Sequence, residues 1–384
     1  MQFTFATASK ILFATGAAQR IPELAKDLGS RPCLVTGGNP ERAQWLVDGL
    51  TQTLCAPLVV PVSGEPDTES AARAAEMARQ AGCDVVIGLG GGSVMDTAKV
   101  VAALITNTDD IYEYLEVVGR GKPLTQRPVP LITAPTTSGT GSEVTANGVL
   151  LSREHGVKVS LRSTDMIADV AVIDPQLAAS MPPHVTAATG MDALTQLMEA
   201  FVTPLSTPMT DALCREGLMR AATALPLAYE DGEDMSARED MALAALLSGI
   251  CLANAKLGAV HGFAAPIGGK SHAPHGAVCA SLLPHVMEAN LRALRERDPD
   301  SPSLHAYREI AVMLTADVAC DAEDGAAWVR ELCEDMSIPT LGELGVESAD
   351  FGELADQAAK ASSMKGNPVE LTREELIAIL EAAY

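Results

Sequence analysis

At 384 residues, with 47 % hydrophobic and only 3 % aromatic side chains, the chain is long enough for two self-sufficient cores and too apolar to be disordered. Its formal charge of −23 excludes nucleic acid as a partner, because phosphate backbones are bound by clustered lysine and arginine. An anionic cofactor would have to be met by backbone amides and helix N-termini instead.

Residues 3–5 and 11–13 read as short strands, followed by Gly16 and a helix over 17–28. Residues 32–36 have the pattern of a buried strand, and it ends at Gly37, Gly38, Asn39 and Pro40 before another helix. The alternation continues with a strand over 58–62, a helix over 68–81, a strand over 84–87, a glycine-rich turn over 88–93, a helix over 94–106 and a strand over 129–134. Strands alternating with helices predict a mostly parallel, Rossmann-like sheet covered on both faces, with ligands beyond the strands' carboxyl ends. Short strands fill 149–173. After Met181, Pro182 and Pro183 the chain turns helical in period and rich in alanine and leucine, with Thr372 and Glu375 as a capping box opening the last helix. The expected organisation is an α/β domain over residues 1–181 and an all-helical domain over 182–384.

The eight cysteines include no C-x-x-C pair and sit mostly in apolar surroundings, the pattern of reduced core thiols. No basic leader precedes a long apolar run, and no stretch reaches about 18 uninterrupted apolar residues. A cytoplasmic protein without a membrane partner is expected.

Three stretches carry chemistry. Gly90, Gly91, Gly92 and Ser93 lie between a strand and a helix, where bare amides can receive a pyrophosphate, and Asp96 and Lys99 follow on the first helical turns. Five hydroxyls crowd the loop at 136–142, including Thr136, Thr137 and Ser142, and offer donors to a ribose, a phosphate or a nicotinamide amide; a solvated turn is the alternative. Residues 258–280 hold three of the seven histidines: an apolar segment delivers His261, turns through Pro266, Gly268 and Gly269, and presents His272 and His275 beside Pro274. Asp192 and Gln196 share a helix face by their i, i+4 spacing. Asp192, His261 and His275 would make a two-histidine, one-carboxylate set able to hold Fe²⁺ or Zn²⁺ with positions left open.

GGGSVMDTAK (90–99), PTTSGTGSEVT (135–145), GMDALTQLMEAF (190–201) and VHGFAAPIGG with PHG (260–269, 274–276) together resemble the iron-containing, group III alcohol dehydrogenases, in order and in separation. The resemblance implies a dinucleotide-binding α/β domain and a helical domain, in the fold shared with the dehydroquinate synthases, that together hold a divalent metal and NAD(P). The metal set carried over is Asp192, Gln196, His261 and His275, with glutamine where a histidine is usual, which marks a subgroup. Ala265 stands where many relatives have a further histidine near the substrate, and His272 is the group that would substitute for it. The pyrophosphate would lie on Gly90, Gly91, Gly92 and Ser93, beside Asp96. Thr136, Thr137 and Ser142 would sit by the nicotinamide half, and Lys158 by the ribose. Many NAD-preferring relatives have an aspartate where Gly37 stands. With Gly37, Gly38 and Asn39 there, NADP(H) is favoured.

The expected activity is a metal-dependent, NAD(P)-linked alcohol dehydrogenase or aldehyde reductase acting on a small substrate, as a homo-oligomer, most simply a dimer. Three alternatives stay open: a maleylacetate-reductase-like oxo-acid reductase with a dispensable metal, a dehydroquinate-synthase-like lyase, and, on Gln196 and Ala265, a non-catalytic dinucleotide-binding protein.

Overall fold

The computed structural model describes residues 2–271 and 273–384. The chain forms two compact units, one from Ala6–Thr137 and Gly141–Ala179, the other from Ser138–Thr140 and Ser180–Tyr384 together with residues 2–5.

The first unit is built on strands β1 (Lys10–Phe13), β2 (Pro32–Gly37), β3 (Leu58–Val62), β4 (Val85–Gly90), β5 (Leu131–Pro135) and β8 (Val170–Ile173), all parallel, in the order β1-β8-β5-β4-β2-β3. Alternation along the strands builds two apolar faces. Leu34, Ile87 and Ile132 pack with helices α1 (Ile21–Leu28) and α2 (Gln44–Thr53). Cys33, Val35, Val86 and Leu131 face α3 (Thr68–Gln80) and α4 (Gly92–Thr106). The chain runs from β2 outward to β3 and then crosses back to β4 on the other side of β2. The carboxyl ends of β2 and β4 therefore flank the topological switch point, where such sheets bind ligands. Thr36 pairs with Leu89, so Gly37 and Gly90 end neighbouring strands side by side. An antiparallel hairpin, β6 (Asn147–Ser152) and β7 (Val157–Arg162), packs Leu150, Val159 and Leu161 on Val100, Ala103 and Leu104 of α4.

The second unit is helical: α5 (Pro183–Val202), α6 (Pro208–Glu230), α7 (Met235–Asn254), α8 (Ala259–Ser271), α9 (His275–Arg297), α10 (Pro302–Thr315), α11 (Ala322–Asp335), α12 (Phe351–Ala358) and α13 (Arg373–Ala382) share one apolar core. Thr372 and Glu375 form the expected capping box of α13. Among the described residues no single helix is long and apolar enough to cross a membrane.

Two expectations are corrected. Residues 3–5 form no strand, since so short an alternation, with Phe3 41 % exposed, finds no edge to pair with. The segment through Pro266, Gly268 and Gly269 is not a turn but the body of α8. Val260, Phe263, Ala264, Ile267 and Gly268 are buried at i, i+3, i+4, i+7 and i+8, and burial of that stripe outweighs the weak helix propensity of proline and glycine.

Candidate metal centre and dinucleotide turn

Helix α5 is buried without a break from Gly190 to Val202, so every polar side chain on that stretch must find a partner inside the protein. Asp192, Gln196 and Glu199 are such side chains. Helix α8 brings His261 to them, and the first turn of α9 brings His275. The approach of α9 depends on Gly276, where a Cβ would lie 2.2 Å from the Ala188 carbonyl oxygen on α5. Asp192 Oδ1 stands 3.3 Å from His261 Nε2 and 3.6 Å from His275 Nε2, and the two rings are 5.4 Å apart at 58°. Ligand atoms at about 2.0 to 2.1 Å on a tetrahedral ion are separated by about 3.3 Å, so these spacings fit one divalent cation. Cys279, one helical turn after His275, joins the group, and one ligand atom from each of the four lies within 4.8 Å of the others. The His275 side chain is 37 % exposed while Asp192 is buried, which leaves the cluster open at His275.

Glu199 stands behind His261. Its Oε2 is 2.7 Å from Nδ1, and its Oε1 accepts the Val260 amide at 2.7 Å. The carboxylate thus caps the first turn of α8 and fixes the imidazole with Nδ1 protonated and Nε2 facing Asp192, as a metal-binding histidine requires. Burial works against the Asp192 charge, but His275, His261 and the Gln196 amide beside it hold its carboxyl below the usual range. Burial opposes the charged form of His261 as well, yet Cys279, Asp192 and Glu199 around it raise its pKa well above the ordinary value. Acidic groups crowd this buried site, and it favours a cation.

Gln196 is 2 % exposed. Its Nε2 donates to the Thr140 carbonyl at 3.3 Å, and its Oε1 accepts from Ser248 Oγ at 2.9 Å. His272 lies outside the described residues.

In the α/β unit, Gly91 starts α4 with no side-chain cap, so the first-turn amides at Gly92 and Ser93 are left for an anion. Gly90 must be glycine because a Cβ there would sit 2.5 Å from Val94 Cγ2, and Thr137 packs beside Gly91. The Thr136 amide donates to the Gly90 carbonyl, tying the hydroxyl loop to the turn. Asp96 and Ser142 face inward. Asp96 Oδ1 accepts from Ser142 Oγ at 2.5 Å, its Oδ2 accepts the Val149 amide at 3.1 Å, and Lys99 Nζ lies 3.2 Å away. The buried Lys99 ammonium also donates to the Ser142 carbonyl, Ser142 Oγ and Thr145 Oγ1, so this network joins α4 to the hydroxyl loop and β6. Lys158 on β7 pairs with Glu65 at 2.9 Å. Beyond β2, a Cβ added to Gly37 would meet nothing within 4 Å, and Asn39 Oδ1 accepts the Glu41 amide.

Sequence reasoning missed Cys279 and Glu199. The signal for Cys279 was its i, i+4 spacing from His275, the same spacing that drew attention to Asp192 and Gln196. Glu199 lies within a quoted motif, but its role depends on where α8 begins.

Residues 8–175 match the iron-containing alcohol dehydrogenase family, and residues 186–384 match the C-terminal part of the Fe-containing alcohol dehydrogenase family. The chain is 37 % identical over 320 residues to alcohol dehydrogenase 4 of Saccharomyces cerevisiae, covering 83 % of this chain and 81 % of that one. It is 34 % identical to the probable alcohol dehydrogenase EutG of Escherichia coli, over 99 % of this chain and 94 % of the relative. A crystal structure of a 1,3-propanediol oxidoreductase superposes over the full length of both chains with a TM-score of 0.90 at 31 % identity. With both halves matched in order, the chain belongs to the iron-containing alcohol dehydrogenase family, metal- and NAD(P)-dependent oxidoreductases that act on CH–OH groups.

Proposed function

We propose that Asp192, His261 and His275 hold a divalent ion, and that the turn at Gly90, Gly91, Gly92 and Ser93 holds the pyrophosphate of NADP(H), in a reductase of small aldehydes that also oxidises the corresponding alcohols. A bound ion supplies Lewis acidity toward the substrate oxygen, and the nicotinamide supplies or accepts the hydride. The chain's own residues position and insulate. Glu199 keeps the His261 lone pair turned toward the cluster, Gln196 keeps its amide nitrogen on the Asp192 side while donating to the Thr140 carbonyl, and the half-open His275 side leaves room for a small substrate. The observation that carries the reading is the Asp192, His261 and His275 group, with its 3.3 and 3.6 Å spacings, where α5, α8 and α9 meet.

Preference for NADP(H) rests on Gly37. The open space beside it accepts a 2′-phosphate, and Arg42 in the following turn supplies a cation nearby.

The test is NAD(P)H oxidation across aldehydes, ketones and oxo acids, before and after chelation, in wild type and His261→Ala. Aldehyde-dependent turnover should fall at least about a hundredfold on chelation and in the variant, about 3 kcal/mol of lost transition-state stabilisation. Full activity after exhaustive chelation, greatest on an oxo acid, would favour a reductase with a dispensable metal. Substrate conversion without net use of NAD(P)H would point to a lyase.

A further inference from the structure

Asp192, His261 and His275 supply three ligands and leave the fourth position of a four-coordinate ion to water or to a further side chain, and two side chains stand beside that place. Gln196 faces it with the wrong end of its amide. On that side lie the Asp192 carboxylate and the Thr140 carbonyl, both acceptors, so the amide nitrogen must point to them and the oxygen turns to Ser248 Oγ, 2.9 Å away. An amide NH₂ is not a metal ligand. Rotating the amide would set its oxygen against two acceptors in a buried site.

Cys279 is fully buried, and its sulfur looks into the same space, 3.7 Å from His275 Nε2 and 3.9 Å from His261 Nε2. An ion with bonds of about 2.0 to 2.1 Å to nitrogen and about 2.3 Å to sulfur separates tetrahedral N and S ligands by about 3.6 Å. The observed distances exceed that by only a few tenths of an ångström. Helix α9 delivers His275 and Cys279 from one face one turn apart, so the two ligands move as a unit. The opposite side of the set, Asp192, is fixed by α5.

Resting on the metal reading above, we infer that Cys279 Sγ is the fourth ligand of the divalent ion, that Gln196 positions Asp192 without touching the ion, and that the site takes zinc in place of iron. On binding, the thiol proton leaves to solvent and the sulfur lone pair goes to the ion. Carboxylate and thiolate together then cancel the ion's two charges. A soft thiolate in a tetrahedral O, N, N, S set suits Zn²⁺ and its analogue Co²⁺ over harder, octahedral ions, and zinc can expand to five-coordinate to take the substrate oxygen.

The experiment uses the full chain, stripped by a chelator and reloaded with one equivalent of Co²⁺ or Zn²⁺. Cobalt should give a thiolate-to-metal charge-transfer band in the near ultraviolet, present in wild type and in Gln196→Ala and absent in Cys279→Ser and Cys279→Ala. X-ray absorption at the zinc edge of the wild type should show one sulfur at about 2.3 Å, which needs no variant to fold. Stoichiometric metal with only nitrogen and oxygen neighbours would overturn the thiolate ligand while leaving the metal site intact. A charge-transfer band that persists in Cys279→Ala would overturn it equally. Failure to bind either ion at one equivalent would refute the metal reading itself.

Discussion

The role of Glu199 can be measured by Glu199→Gln, which keeps shape and volume but offers one acceptor where the carboxylate offers two. Both oxygens are in use, one on the Val260 amide and one on His261 Nδ1, each at 2.7 Å. The glutamine must turn its NH₂ toward one of these donors. Turned to His261, it selects the other tautomer and places a proton on Nε2, where the ion would bind. Turned to Val260, it leaves a first-turn amide of α8 without an acceptor, a loss of about 1 kcal/mol. Either way a charge-assisted hydrogen bond worth about 1.5 to 3 kcal/mol is lost or replaced by a neutral one. Removing such an outer partner of a metal-binding histidine typically weakens the metal about 10- to 100-fold, or about 1.4 to 2.7 kcal/mol. The assay is a zinc titration against a chromophoric chelator. Asn367→Ala serves as the control: Asn367 Oδ1 accepts the neighbouring Ala259 amide without touching His261, so its loss should lower the melting temperature and leave zinc affinity in place. Zinc affinity of Glu199→Gln within twofold of wild type would refute the orienting role. Equal weakening in Asn367→Ala would show that Glu199 acts only by placing α8.

Two further outcomes follow from the α/β unit. Gly37→Asp adds a side chain where a Cβ meets nothing within 4 Å, so it should leave the melting temperature unchanged while moving the kcat/KM ratio at least tenfold toward NADH; an unchanged ratio would place the adenosine ribose elsewhere. Burial pushes Glu143 up from 4.5 to about 7, with Lys99 opposing weakly, so the folded state holds this proton more tightly than the unfolded chain does. That stabilisation is full below about pH 4.5 and lost as pH rises through about 7, a change of about 3 kcal/mol that Glu143→Gln should abolish. Denaturant melts of both proteins at pH 5 and pH 8 read the difference, and parallel changes with pH would contradict it.

Much of the sheet was legible because short continuous apolar runs and glycine-rich strand ends are local signals. The strand over 58–62 matches β3, and the glycine-rich turn falls between the end of β4 and the start of α4. The grouping of Asp192, His261 and His275 was legible from residue type as a candidate set, and the motif combination then added Gln196, since no local pattern joins Asp192 to a histidine 69 residues away. Cys279 was hidden by its neighbours, because Val278 and Ala280 make it look like core, and it is indeed buried. Pro266 and the glycines after it masked α8, whose helicity comes from the tertiary burial of one stripe. The short segment Ser138–Thr140 packs with the helical unit because Gly139 lies against Thr189 and Ser248, a close approach that no periodicity announces.

The two units solve the same electrostatic problem in different ways. A buried carboxylate without a counter-charge costs several kcal/mol. On α4 the chain answers the partly buried Asp96 with its own ammonium, Lys99, one turn away and 1 % exposed. On α5 it places Asp192 and Glu199 in an interior at least as dry, and among the described residues their ion-pair partners are imidazoles alone. An imidazole is only a conditional cation near neutral pH, and Cys279 adds a further acidic group to the same space. Had the fold needed nothing but stability there, a lysine or an apolar side chain would have been the cheaper solution. Carboxylate, two oriented imidazoles and a thiol gathered in one buried space are the donor set that the proposed metal site calls for.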